Sequence, residues 1–337
     1  MSTWRLWSRE SRGVTYRKAF CLFAATCLVS PQALSEPLQV KNLSPIAGLL
    51  GLPSQRGRAS SEAGVWQIDT HASWASHFVL DDSRREALLL DGETRRLALD
   101  LRYAPAPGWE LQLELPWLQH TGGSLDSLID GWHDLWGMPD GGRSGAPADR
   151  LAYRYAGPEG TFNLADSASG PGDISLSLSR RLWSGREGQL DAALGVKLPT
   201  GEEQDFLGSG SEDGFVALRG FWAPGEGDWR WSAQLGYLRA GEIAVMESGG
   251  ERDLWFAGAS LEWQAWQTVS LLLQVDSHAA PLKNSELTAL GDTAVLLSAG
   301  ARWRINPHWA LELSVVEDVQ VESGPDVVFQ AGLRYRP

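Results

Sequence analysis

The chain is poor in cysteine: two of 337 residues, Cys21 and Cys27, both near its start. They lie in a stretch with the marks of a secretory signal peptide. Arg5, Arg9, Arg12, Arg17 and Lys18 form a basic region, AFCLFAATCLVS (19–30) an apolar core, and Ala33-Leu34-Ser35 a small-x-small cleavage site. Removing residues 1–35 leaves a chain from Glu36 without a thiol, which excludes disulfides and thiolate metal sites. Long apolar runs are missing too. The signal core is too short to span a bilayer, and no later stretch reaches the ~18 uninterrupted apolar residues of a membrane helix. Positive charge is also scarce: past residue 35, 24 Lys and Arg face 41 Asp and Glu, a balance of −17. Phosphate neutralisation needs clustered cations, so nucleic acid is excluded as a partner.

What the chain does have is alternation. In GWELQLELPWLQH, Trp109, Leu111, Leu113, Leu115 and Trp117 take one face, and Glu110, Gln112 and Glu114 the other. Likewise Leu190, Ala192, Leu194, Val196 and Leu198 oppose Asp191, Ala193, Gly195 and Lys197. Period two prevails over 3.6 in nearly every window. It predicts twelve strands, at about 65–80, 93–103, 109–119, 172–183, 189–198, 212–222, 229–240, 252–263, 268–277, 292–304, 309–319 and 327–337. Their lengths suit the ~9–11 residues of a tilted membrane-spanning strand better than the ~5–6 typical of soluble proteins. The connections alternate long (DDSRREALLLDG, 120–171, PTGEEQDFLGSGSE, 241–251, 278–291) and short (APAPG, SGREG, APGEGD, QAWQ, INPH), ending with VESGPD. Such an order places long loops at one end of a cylinder and tight turns at the other, as in bacterial outer-membrane barrels.

Two arrangements fit this pattern: a soluble barrel with the apolar face inward, and a membrane barrel with it outward. Two features favour the second. Trp109, Trp183, Trp222, Trp229, Trp263, Trp303 and Trp309 fall at strand ends beside the short turns, the place of an aromatic girdle. Arg96, Asp100, Arg102, Glu110, Glu114, Arg181, Asp191 and Lys197 fall on the polar face, where a dry core would not tolerate them. They are the candidate lumen-lining residues, setting polarity and charge selectivity. The expected fold is all-β, a transmembrane antiparallel up-and-down barrel over 65–337. Residues 36–64 then lie in the periplasm or tuck into the lumen.

The last strand, VVFQAGLRYRP, is apolar along one row (Val327, Phe329, Ala331, Leu333, Tyr335) and basic along the other, which includes Arg334 and Arg336. Gln330, Gly332 and Tyr335 fit an insertion signal of outer-membrane barrels, polar–x–Gly–x–x–aromatic; Pro337 departs from its final aromatic. Residues 120–171 are too long for a featureless connection. Within them Leu125, Leu128, Ile129, Trp132, Leu135 and Trp136 keep helical spacing before Gly137 and Pro139. The spacing predicts a short amphipathic helix. It either constricts the mouth through Leu128, Trp132, His133 and Trp136, or lies on the rim.

The segments KNLSPIAGLLGLPS (41–54), LLLDGETRRLALDLRYA (88–104) and GGSLDSLIDGWHDLWGMPDGGR (122–143) resemble an uncharacterised family of proteobacterial outer-membrane proteins. GDISLSLSRRLW (172–183) and KLPTGEEQDFLGSGSEDG (197–214) are also similar to the meta-pathway phenol-degradation family of outer-membrane channels. The resemblance implies a barrel of the Gram-negative outer membrane and carries over no catalytic residue.

An enzyme needs a constellation. Asp69, His71 and Ser73 alternate on the inner face of the first strand, ~6.6 Å apart, and supply an acid, a base and a nucleophile. Polar residues are also the ordinary lining of a lumen wall, the reading favoured here. His133-Asp134 are adjacent and do not share a helix face. The acidic loop, with Glu202, Glu203, Asp205, Glu212 and Asp213, lacks EF-hand spacing and reads as solvated. No cofactor or metal is expected. The expected function is a narrow channel for passive or gated uptake of small, amphipathic solutes. Its rivals are a non-conducting structural or adhesive barrel with a salt-bridged lumen, and a lipid-processing enzyme. The expected partners are outer-membrane lipid, lipopolysaccharide, the barrel-assembly machinery and a small solute.

Overall fold

The computed structural model describes residues 36–125, 147, 149–225, 227–246, 250–320 and 322–337. In chain order its strands are β1 (Trp66–Asp82), β2 (Ala87–Tyr103), β3 (Trp109–Thr121), β4 (Ala152–Gly157), β5 (Gly160–Leu164), β6 (Ala168–Pro171), β7 (Ile174–Ser184) and β8 (Gly188–Leu198). There follow β9 (Asp213–Trp222), β10 (Trp229–Arg239), β11 (Asp253–Trp263), β12 (Val269–His278), β13 (Ala294–Arg304), β14 (Trp309–Asp318) and β15 (Val327–Tyr335). β1 pairs with β2 along one edge and with β15 along the other, from Ile68↔Tyr335 to Ser76↔Val327. From β2 the ladder passes to β3, β7 and each strand in turn to β15, antiparallel throughout. Twelve strands therefore close on themselves and leave no wall edge, the condition for lying in lipid.

The two rows of each strand part as alternation predicts. Leu97, Leu194, Leu235 and Leu313 on the outer row are each more than half exposed, while Asp69, Asp100 and Asp191 on the inner row are at most 1% exposed. That excludes the soluble arrangement, because a water-facing barrel does not bury carboxylates and present leucines to solvent. The membrane-facing surface is an apolar belt.

The chemistry of the inner row changes at the long-loop end. Leu88 and Leu90 share the inward parity of Arg96 and Asp100, yet they are buried in an apolar cluster with Tyr153, Tyr155, Phe162 and Leu164. β2 accordingly begins at Ala87 rather than near 93. DDSRREALLLDG is mostly strand, and the true turn is Ser83–Glu86, closed by Ser83 N donating to Glu86 O at 2.8 Å. β4 and β5 form a hairpin on this extension of β2, and β6 pairs with the end of β3. The connection 120–171 thus holds three strands that alternation did not announce. The predicted constriction residues Leu128, Trp132, His133 and Trp136 lie outside the described residues. Leu125, the first residue of the predicted helical spacing, is buried against Val327, Trp74, Val315 and Phe329, on the outer side of the wall.

Candidate functional site

The lumen holds residues 36–60, which rise from the short-turn end, turn, and descend again before β1. Leu38 N donates to Gln274 Oε1 at 2.8 Å, and Gln274 Nε2 returns a bond to Leu38 O at 3.1 Å. Higher up, Asn42 Nδ2 meets Ser323 O at 2.9 Å and His278 Nε2 at 3.1 Å. A 3₁₀ turn, Ala47–Leu49, reverses the chain. Gly51 N then donates to Asp213 Oδ2 at 2.6 Å, and Lys197 Nζ to Leu49 O at 3.0 Å. Descending, Gln55 Nε2 bonds Asp276 Oδ1 at 2.8 Å, and Ala59 N bonds Asp191 Oδ2 at 2.8 Å. Ser60 O accepts from Gly108 N, in the turn between β2 and β3, at 2.8 Å.

Sequence dictates this path. Pro45, Gly48, Gly51 and Pro53 discourage helix and strand alike. A Cβ on Gly51 would stand 3.0 Å from Lys197 Cβ, and one on Gly57 would strike the Glu36 side chain at 2.5 Å. Glycine is what lets the hairpin lie against the wall and its two legs against each other. At the tip, Ile46, Leu49 and Leu50 enter the apolar cluster of the long-loop end.

Lower down, charges bind hairpin to wall. Glu36 accepts from Arg102, from Arg334 at 2.5 Å and from Arg336 at 2.5 Å. Arg56 bridges Asp100 and Glu114, each at 2.7 Å, and Glu114 also takes Lys41 at 3.1 Å and Arg96 at 2.5 Å. At the level of the tip, Lys197 stands 3.0 Å from Asp173 and 3.2 Å from Asp213, pairs within the wall itself. Burial would raise the Glu36 carboxyl, but Arg102, Arg334, Arg336 and Arg302 hold it well below the usual carboxylate range. Burial pushes the Lys41 ammonium down, against the opposing pull of Glu114.

Each predicted lumen residue faces this interior. Arg96, Asp100, Arg102, Glu114 and Lys197 are in the ion pairs above. Glu110 lies 3.6 Å from Arg102, Arg181 donates to Ala59 O at 2.6 Å, and Asp191 accepts from Ala59. Their hairpin partners Glu36, Lys41 and Arg56 were not singled out, because the segment has no period to read. The tight charge of Arg334 and Arg336 on the last strand is the one signal that an acidic partner was needed. Trp109, Trp183, Trp222, Trp229, Trp263, Trp303 and Trp309 stand on the outer row at the short-turn end, with Trp229 and Trp263 stacked at 5.5 Å. Gln330 bonds Ser73 Oγ at 3.2 Å inside the barrel, Gly332 faces His71, and Tyr335 packs on Trp309 outside at 4.7 Å.

The Asp69–His71–Ser73 trio does not assemble. Asp69 is engaged by Gln67 at 2.6 Å and Arg334 at 3.3 Å, Ser73 by Gln330, and among the described bonds none joins either to His71. The cavities between hairpin and wall are small, about 50, 40 and 10 Å³ among the described residues, room for a few waters at most. Two larger hollows, about 730 and 830 Å³, are on the outer face, lined by such residues as Leu97, Trp117, Leu194 and Leu235. They open to lipid, away from the lumen.

Among solved structures, the COG4313 outer-membrane channel from Pseudomonas putida F1 superposes with a TM-score of 0.51 at 14% identity, covering 83% of this chain and 97% of that one. It shares the fold. The NanC porin aligns with a TM-score of 0.46 at 6% identity over 80% of this chain and 98% of its own. The Ralstonia pickettii toluene transporter TbuX aligns at 0.41 and 10% over 88% and 98%. No curated protein matches the sequence. The pattern of the family described as "Protein of unknown function (DUF3187)" matches residues 17–336, and the chain belongs to that family.

Proposed function

We propose that the protein is a channel of the Gram-negative outer membrane whose lumen is kept shut by its own hairpin, residues 36–60. The observation that carries this reading is the nature of the seal. The hairpin is tied to the wall by ion pairs and hydrogen bonds, which water can replace one by one, beside apolar contacts at its tip and along its first leg, where Leu38, Val40 and Leu43 meet wall residues such as Leu272, Leu296 and Val316. The likeness to the COG4313 outer-membrane channel supports the same reading.

With the hairpin displaced, the wall offers a charged floor (Arg102, Glu110, Asp191) below an apolar upper zone that includes Phe215, Leu238 and Phe256. A small amphipathic solute fits such a passage, with Arg96, Asp100, Arg102, Glu110, Glu114, Arg181, Asp191 and Lys197 setting charge selectivity. The tryptophans beside the short turns anchor the barrel at the periplasmic boundary of the lipid. Gln330, Gly332 and Tyr335 address the assembly machinery.

The extent of the ion pairing between hairpin and wall favours a second reading, a barrel that never conducts. Liposome swelling separates the two. The channel reading predicts slow solute entry with the wild type and faster entry with Arg56→Ala. Absence of swelling with both, in barrels shown to be folded, leaves the non-conducting reading.

A further inference from the structure

The floor of the lumen surrounds one residue completely. Glu36 lends its carboxylate to Arg102, Arg334 and Arg336, and its carbonyl oxygen accepts from Arg302 Nη2. Its backbone nitrogen points at Glu262 Oε2, 3.4 Å away. The ion pairs linked through this residue and its neighbours form one network. Its carboxylates are Glu36, Asp69, Glu110, Glu262 and Glu312; its guanidiniums are Arg102, Arg302, Arg334 and Arg336. Glu110 also feels buried Arg219 from further off, whereas Glu262 has, among the described residues, one guanidinium within ion-pair distance, Arg302, and shares it with Glu312. All of these side chains but the part-exposed Arg336 are buried, where an uncompensated charge is costly.

We propose that this floor is a receptor for the processed N-terminus of the chain itself. Signal peptidase, with water as co-reactant, hydrolyses the Ser35–Glu36 peptide bond; the hydroxyl goes to the Ser35 carboxyl and the proton to the Glu36 amine. The new α-ammonium sits on Glu262 and gives that carboxylate a cation it does not share with Glu312. An uncleaved chain presents only a neutral amide with one proton at that point, whereas an ammonium offers three donors and full charge. Cleavage therefore completes the lock that seats the first leg of the hairpin. The mode is N-terminal amine capture, with a residue of this chain as the ligand. It holds whether or not solute passes through the barrel.

Amine acetylation of the folded protein, purified from outer membrane after expression of the full precursor, tests this. Past residue 35 the chain has three lysines, Lys41, Lys197 and Lys283, so the α-amine is readily resolved by mass spectrometry. Lys283 is exposed and serves as the internal standard. The expected result is a chain starting at Glu36 whose α-amine reacts at least ~tenfold more slowly than Lys283 in the folded barrel and comparably after unfolding. A chain starting elsewhere, or an α-amine as reactive as Lys283 in the folded wild type, overturns the proposal. Glu262→Gln, checked for folded electrophoretic mobility, is expected to raise α-amine reactivity. Unchanged reactivity in that variant would assign protection to burial alone and remove Glu262 from the role.

Discussion

Arg56 places guanidinium nitrogens 2.7 Å from Asp100 and 2.7 Å from Glu114, all three side chains buried. Removing one partner of a buried pair costs ~3–5 kcal/mol. Arg96 and Lys41 still hold Glu114, so Arg56→Ala is expected near the lower end of that range, read as a lowered guanidinium midpoint in detergent. Glu36 gives a pH dependence with a definite sign. Its carboxyl is held well below the ordinary 4.5, so its contribution to hairpin docking is complete above 4.5 and is lost as pH falls through the lowered value. The protection factors of hairpin amides such as Leu38 and Gly51, exchange being referred to the intrinsic rate at each pH, should be constant from neutral pH down to about 4.5 and then fall. Glu36→Gln should exchange faster at neutral pH and lose that acid step. At this scale the wall residues were legible and their partners were not. Alternation assigns Asp100 or Glu114 to an inner face, but Arg56 sits in a segment whose conformation is set by prolines, glycines and the wall around it.

β2 shows where alternation stops being a guide to elements. Its parity never changes from Ala87 to Tyr103, but the inner row is apolar at Leu88 and Leu90 and polar from Arg96 onward. The change marks the point where the wall leaves the bilayer and its inner side packs against loop structure. A reader following polarity loses phase there and ends the strand too soon. β4 was hidden for the same reason: Tyr153 and Tyr155 face a core made by other loops. Gly92 lies at this transition with φ 151°, and a Cβ there would stand 2.8 Å from Leu151 Cδ1 and 3.0 Å from Thr121 O. Gly92→Ala is expected to cost ~1–3 kcal/mol of backbone strain. It should act locally: faster proteolysis within β4–β5, with the folded barrel's electrophoretic mobility retained.

At the scale of the molecule, the count of twelve wall strands, the order of long and short connections and the outward apolar belt were all present in the sequence, because each follows from period two. What filled the cylinder was legible only as one of two placements for residues 36–64, the periplasm or the lumen. A lumen of charged wall residues is compatible with water, solute or protein, and only the fold brings the hairpin inside. The aromatic ring at the short-turn end predicts that tryptophan fluorescence is quenched more by lipids brominated near the glycerol than by those brominated at the chain ends. The central claim is that an exchangeable hairpin closes the barrel, and planar-bilayer conductance tests it most directly. Wild-type protein should rest closed with brief openings, and the double variant Arg56→Ala, Lys197→Ala should dwell mostly open. Steady wild-type conductance that the double variant leaves unchanged would contradict the account, as would silence from both folded proteins.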